Sequence, residues 1–115
     1  MESIKEESKI VIFKNYRHIP ANFTGVCKVT NSGCIFHFKN GKYHNESGPA
    51  IICKGGTKCW YIDGFEHRED GPSTEYASGG KDWFYKGKYY GYCNEFTNET
   101  WAVKVSELKY YDGNK

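Results

Sequence analysis

The 115 residues fit a single domain, and three Trp, ten Tyr and seven Phe beside 13 Gly point to a ring-built core with many tight turns and exclude a mainly helical fold. A net charge of +2, with both signs interleaved, excludes a dense basic face for nucleic-acid phosphates and a strongly acidic mimic of nucleic acid. No run of about 18 apolar residues occurs, which excludes a membrane-spanning helix, and the charged start carries no apolar stretch, so no export signal is expected.

Residues 1–9 are expected to be a flexible N-terminal segment, and residues 10–115 a single domain. Within it, 10–25 read as an N-terminal cap and lead-in, opened by the short β-prone run Ile10-Val11-Ile12-Phe13. Residues 26–93 read as hairpin repeats. Strands are expected at 23–30, 34–39, 50–54, 58–62, 73–77 and 81–86. Asn31-Ser32-Gly33, Gly55-Gly56 and Ser78-Gly79-Gly80 form one set of turns. Asn40-Gly41 and Asp63-Gly64 are hairpin turns, because both residues tolerate φ > 0, and Gly87 closes a further hairpin.

These turns recur at a period of 23. Gly64, His67, Gly71 and Pro72 repeat Gly41, His44, Gly48 and Pro49, while Trp60, Tyr61 and Gly64 return as Trp83, Phe84 and Gly87. A fixed period of this length marks an array of like units. The pattern then breaks, with Tyr90, Asn94 and Glu95 in place of the His, Gly and Pro. A helix over 96–109 follows. Thr97 is its N-cap, Phe96 and Trp101 make a hydrophobic staple, and Trp101, Val105 and Leu108 share one face. Such a helix would cap the C-terminal edge of the array, and Ile10 to Phe13 the other.

The run Trp60-Tyr61, the Gly64 turn and His67-Arg68-Glu69-Asp70-Gly71-Pro72 resemble MORN repeats, in particular the MORN-like (YwqK-type) variant common in proteins of bacteriophages and large DNA viruses. Ile19-Pro20-Ala21-Asn22-Phe23-Thr24-Gly25 resembles the lead-in of such arrays, and the likeness spans about residues 19 to 90. Asn45-Glu46-Ser47 departs from the Arg-x-Asp of the pattern, and the third unit lacks the His-Gly-Pro half. The resemblance implies a mostly β fold: a single-layer antiparallel sheet of stacked 23-residue hairpin repeats, closed by the short C-terminal capping helix. It also implies a phage or viral origin.

No catalytic site announces itself. Ligands one hairpin apart, such as His44 and His67, would stand about 10 Å from each other, too far to share an ion, so each ring is expected to fill its own corner and no metal or other cofactor is expected. Adjacent Glu69 and Asp70 point to different sides, and Asp70 is expected to brace its own turn. The cysteines at 27, 34, 53, 59 and 93 are expected to be reduced, with Cys53 and Cys59, which flank one turn, as the pair a disulfide would join.

The rings carry the functional reading. Neighbours in Trp60-Tyr61 and Trp83-Phe84 must face opposite sides of a strand, so a single-layer array with one helix leaves rings exposed. The expected partner-binding residues are Tyr61, Tyr76, Phe84, Tyr89 and Tyr90, with Arg68. The chain then reads as a non-enzymatic protein-binding module of the cytoplasm, the host cytoplasm for a viral protein. Its partner would be a host protein or defence complex that it inhibits, as an anti-CRISPR does. One alternative is a single-stranded nucleic-acid binder, with stacked rings beside Lys54, Lys58, Lys81, Lys86 and Lys88. Another is a cysteine/histidine enzyme, and a third outcome is a homo-oligomer through a sheet edge.

Overall fold

The computed structural model describes residues 9–113, so the segment expected to be flexible lies outside them except for Lys9. Among these residues the chain is mostly β. The strands are β1 (Ile10–Phe13), β2 (Gly25–Val29), β3 (Cys34–Lys39), β4 (Lys42–Tyr43), β5 (Ile51–Ile52), β6 (Lys58–Cys59), β7 (Tyr61–Ile62), β8 (Phe65–Glu66), β9 (Thr74–Glu75), β10 (Lys81–Tyr85) and β11 (Lys88–Tyr92), followed by helix α1 (Asn98–Gly113). One nine-stranded sheet runs β1-β2-β3-β5-β6-β9-β10-β11, with β4 beside β3, and β7 pairs with β8 separately. No helix among the described residues is long and apolar enough to cross a membrane.

The sheet is mixed, which corrects the expectation of an antiparallel one. From β2 onward every pairing is antiparallel, but β1 runs parallel to β2, with Ile10 opposite Val26 and Phe13 opposite Val29. The reason is the connection. Residues 14–24, with a 3-10 turn at Tyr16–His18, cross the sheet and bring the chain back in the direction it left.

The hairpin turns follow their residues. Asn40 and Gly41 have φ of 52° and 80°, Asp63 and Gly64 49° and 86°, and Lys86 and Gly87 50° and 82°. Both central positions are left-handed in each, the geometry that matches the twist of paired strands. Bonds at positions 23 apart also agree. The Gly64 N–H donates to the Tyr43 carbonyl and the Gly87 N–H to the Glu66 carbonyl, both at 2.9 Å. The Ala50 and Ser73 N–H groups donate to the Cys59 and Asp82 carbonyls, both at 2.8 Å.

Strands are shorter than expected where the ladder breaks. The run 58–62 divides at Trp60, whose N–H turns to the Ser73 carbonyl at 2.7 Å. At the C-terminus the Thr97 hydroxyl accepts the Thr100 N–H at 3.1 Å, as an N-cap does. The Phe96 and Trp101 rings pack 4.9 Å apart, centroid to centroid. The helix runs to Gly113 rather than ending near Lys109, and Asp112 in its last turn meets Lys86 at 3.2 Å.

Two ring-rich cores result. Cys27, Val29, Phe36 and Phe38 gather Phe13, Ile19, Phe23, Tyr43 and Ile51 around them. Trp83, Tyr85, Trp101 and Val105 gather Tyr90, Phe96 and Leu108. Trp83 and Trp101 are essentially closed to solvent. Each such indole removes about 150–250 Å² from water, roughly 4–6 kcal/mol of gross stabilisation. Because α1 rests on Trp83 and Tyr85, whose side chains stand off the sheet, it covers a face of the last hairpin and not its edge.

Candidate interaction surface

Register sorts the side chains of the large sheet onto two faces. Cys27, Phe36, Ile51, Cys59, Thr74 and Asp82 stand opposite one another across successive strands and share the first face. Lys28, Ile35, Ile52, Lys58, Glu75 and Lys81 share the second. Trp83 and Tyr85, one and three positions beyond Asp82, are on the second face under α1.

The first face is sealed at one end. Tyr16 packs edge-on to Phe36 at 5.3 Å and its hydroxyl meets that of Tyr43 at 2.7 Å, while Phe23 covers Phe38. Burial raises Tyr43, and its hydrogen bond to Tyr16 adds to the shift. The cover stops where Tyr43 meets Tyr61, 5.1 Å away. Beyond that line the face changes character, because residues 23 later are polar. Thr74 replaces Ile51, Glu66 replaces Tyr43, and Cys59 and then Asp82 replace Phe36.

Those polar groups are knit together. The buried Thr74 hydroxyl donates to Glu66 Oε1 at 2.8 Å, and the Ser73 hydroxyl approaches the same oxygen at 3.4 Å. The Tyr76 hydroxyl donates to Asp82 Oδ2 at 2.6 Å. That hydrogen bond is the main reason the Tyr76 hydroxyl is pushed up to about 12. Burial raises Glu66, repulsion from Asp82 adds to it, and the two hydroxyls pull the other way. Burial likewise raises the Cys59 thiol.

Four of the six expected partner-binding residues meet on this face. Tyr61 and Glu66 are cross-strand partners, as are Phe84 and Tyr89, whose rings lie 5.3 Å apart. Tyr76 adjoins them through Asp82. Tyr89 and Tyr76 are 52% and 41% exposed, so their rings stand open to a partner. Tyr90 is elsewhere. Next to Tyr89 in β11, it alternates to the second face and packs on Trp101 at 5.8 Å.

Arg68 is also on the second face. Its guanidinium lies 3.9 Å over the Trp60 ring and holds Asp70 at 2.9 Å, Glu75 at 2.8 Å and the Pro72 carbonyl at 3.2 Å. The two corners beside it are built alike. His44 Nδ1 accepts the Asp63 N–H and His67 Nδ1 accepts the Lys86 N–H, both at 2.9 Å. Each Nε2 meets a carboxylate at 3.2 Å, Glu46 for one and Glu69 for the other. Both nitrogens of each ring are therefore engaged within its own corner. A trough of about 830 Å³ separates the corners, floored by Trp60 and Ile62, and runs toward a smaller hollow of about 320 Å³ beside Asp63 and Phe65.

All five cysteines carry free thiols. Register sets Cys34 next to Cys53, one step beyond the Ile35–Ile52 pair, while Cys59 stands opposite Ile51. Burial raises the Cys34 thiol, but hydrogen bonds from Ser32, the Lys54 backbone and Cys53 outweigh it and bring Cys34 below its ordinary value. Sequence reasoning missed this pairing because its two strands come from different hairpins. It also missed the Glu66–Thr74 network, which the replacement of apolar residues by Glu66 and Thr74 at equivalent positions could have revealed. No family model matches the chain, and neither does any curated protein or solved structure.

Proposed function

We propose that the chain is a non-enzymatic protein-binding module, a MORN-like stack of 23-residue hairpins in a single layer, that acts in the cytoplasm by occupying a working surface of a host protein or defence complex. The observation that carries this reading is the shared face of Tyr61, Tyr76, Phe84 and Tyr89. These rings surround Glu66 and Asp82 on the part of the sheet that neither the lead-in nor α1 covers. Rings able to contact a partner through an apolar body and a polar tip are the groups that dominate protein interfaces. The matched bonds at positions 23 apart support the repeat reading. The viral, inhibitory part follows from the resemblance to MORN-like arrays.

Placement weighs against the alternatives. A single-stranded nucleic acid needs rings and lysines on one surface, yet Lys58 and Lys81 belong to the second face, and Glu66 and Asp82 would repel phosphates beside the rings. The sheet stands between the thiols of Cys34, Cys53 and Cys59, which share the face of Phe36, and the imidazole of His37, which directly follows Phe36 in β3 and so faces the other way. Affinity purification from host lysate with the wild-type chain and a Tyr61→Ala/Phe84→Ala/Tyr89→Ala variant tests the proposal. A specific protein recovered by the first and lost with the second is expected. Equal recovery by a folded variant would remove the ring face as the binding surface.

A further inference from the structure

The trough between the corners has a filled counterpart one unit further along. Adding 23 to its lining residues Asn45, Glu46, Trp60, Ile62 and His67 leads to Arg68, Glu69, Trp83, Tyr85 and Tyr90. Those are residues that hold α1. The Trp101 indole donates to the Arg68 carbonyl at 2.7 Å, its ring packs on Trp83 and Tyr90, and Lys109 reaches Glu69 at 2.7 Å. Val105 is buried in the same cluster as Tyr85. The trough is thus the seat of α1 repeated, with a different tenant.

One substitution explains the difference. Position 91, the counterpart of Arg68, is Gly, which leaves the Trp83 ring open to Trp101. In the trough the Arg68 guanidinium covers Trp60 instead. A visitor there meets a guanidinium plane, a surface on which an aromatic ring stacks. The rim is acidic. Glu46, the counterpart of the Glu69 that holds Lys109, and Asp70 have side chains 75% and 87% exposed.

We propose that the trough docks a helix of a partner protein that carries an aromatic and a basic residue, laid against Trp60 and Ile62 as α1 is laid against Trp83 and Tyr85. The visiting helix would place an aromatic on the Arg68–Trp60 stack and a Lys or Arg two turns later on Glu46, the spacing of Trp101 and Lys109. The inference rests on the reading of the chain as a binding module, but uses the opposite face from the one argued above.

The test adds a synthetic peptide of residues 97–113 to the full chain and follows backbone amide and indole NMR signals. Saturable shifts centred on residues 45–49 and the Trp60 indole are expected, with affinity falling at least tenfold in Glu46→Lys. A peptide carrying Lys109→Glu should bind the wild-type chain more weakly and regain affinity for Glu46→Lys. Absence of saturable binding, shifts centred on Trp83 and Tyr85, or indifference to Glu46→Lys would each overturn the inference. The ring-face variant separates the two readings. If it loses the lysate partner while the peptide leaves the trough signals unmoved, the trough proposal alone falls. If it keeps the partner while the peptide maps to the trough, the ring-face reading alone falls.

Discussion

The Trp101 indole N–H donates to the Arg68 carbonyl across 2.7 Å and 33 positions of sequence. This bond joins α1 to the corner before the last hairpin, and the ring that makes it is fully buried against Trp83 and Phe96. The helix has little stability of its own at 16 residues, so its order depends on this anchor. Trp101→Ala should cost about 3–5 kcal/mol, and Trp101→Phe about 1–3 kcal/mol, since it keeps most of the ring and strands the carbonyl. Urea unfolding followed by circular dichroism checks both, and a Trp101→Phe loss near zero would show that the hydrogen bond contributes nothing.

Three equivalent glycines offer an internal comparison. Each sits at the second position of a left-handed turn, so Ala at any of them carries backbone strain of about 1–2 kcal/mol. A Cβ at Gly41 would also collide with the Ala21 carbonyl oxygen, one at Gly87 would press the Phe65 ring at 2.9 Å, and one at Gly64 would meet only the Lys42 side chain at 3.6 Å. Thermal unfolding should therefore rank the losses Gly41→Ala, then Gly87→Ala, then Gly64→Ala. Backbone cannot yield as a ring can, so Gly41→Ala should exceed the strain common to all three.

Glu66 sets a stability trend at neutral pH. Its carboxyl is raised in the fold, first by burial, so the folded state favours the neutral form. The stabilisation is therefore present below about pH 4.5 and is lost as pH rises through the raised value. Glu66→Gln keeps the acceptor for Thr74 and removes the charge. It should raise Tm at pH 7 by a few degrees, a gain of up to about 1 kcal/mol, and show no gain below about pH 4. A melting series across pH 3–8 reads this directly.

His37 governs the opposite trend. Its ring Nδ1 is buried without a hydrogen-bond partner, and burial lowers the imidazole, against a smaller opposing effect of the Ala50 backbone. Folding therefore favours the uncharged ring. Stability from this group is present above pH 6.5 and declines as pH falls toward the lowered value. His37→Phe, at the position matched by Trp60 and Trp83, should flatten the decline below about pH 6.5 in the same melting series. An unchanged slope would assign that decline to other groups.

The corners should behave as equivalents. His44→Ala and His67→Ala each strand one turn N–H, and each should cost about 1–3 kcal/mol. His67 carries the extra duty of packing 4.9 Å from Tyr85, so its loss should be the larger of the two in denaturant unfolding.

Much of the architecture could be read from spacing. Asn40-Gly41 and Asp63-Gly64 name their turns, because left-handed backbone is a property of those residues and their immediate neighbours. Thr97, Phe96, Trp101, Val105 and Leu108 mark the helix for the same reason, since cap, staple and stripe all lie within a few turns of chain. The site was legible only in part. Tyr61, Tyr76, Phe84 and Tyr89 do share a face, but Tyr90, next to Tyr89 in β11, alternates to the other side, and Arg68 lies flat on Trp60 there.

Spacing along the chain was thus enough for the period, the turns, the helix stripe and the reliance on rings, all of which are local chemistry repeated. The direction of β1, the company of Cys34 with Cys53, the Glu66–Thr74 network and the open trough beside Trp60 came from elsewhere. Each depends on which strand lies against which, and in what register, and that is settled by cross-strand packing between segments that are distant neighbours in sequence.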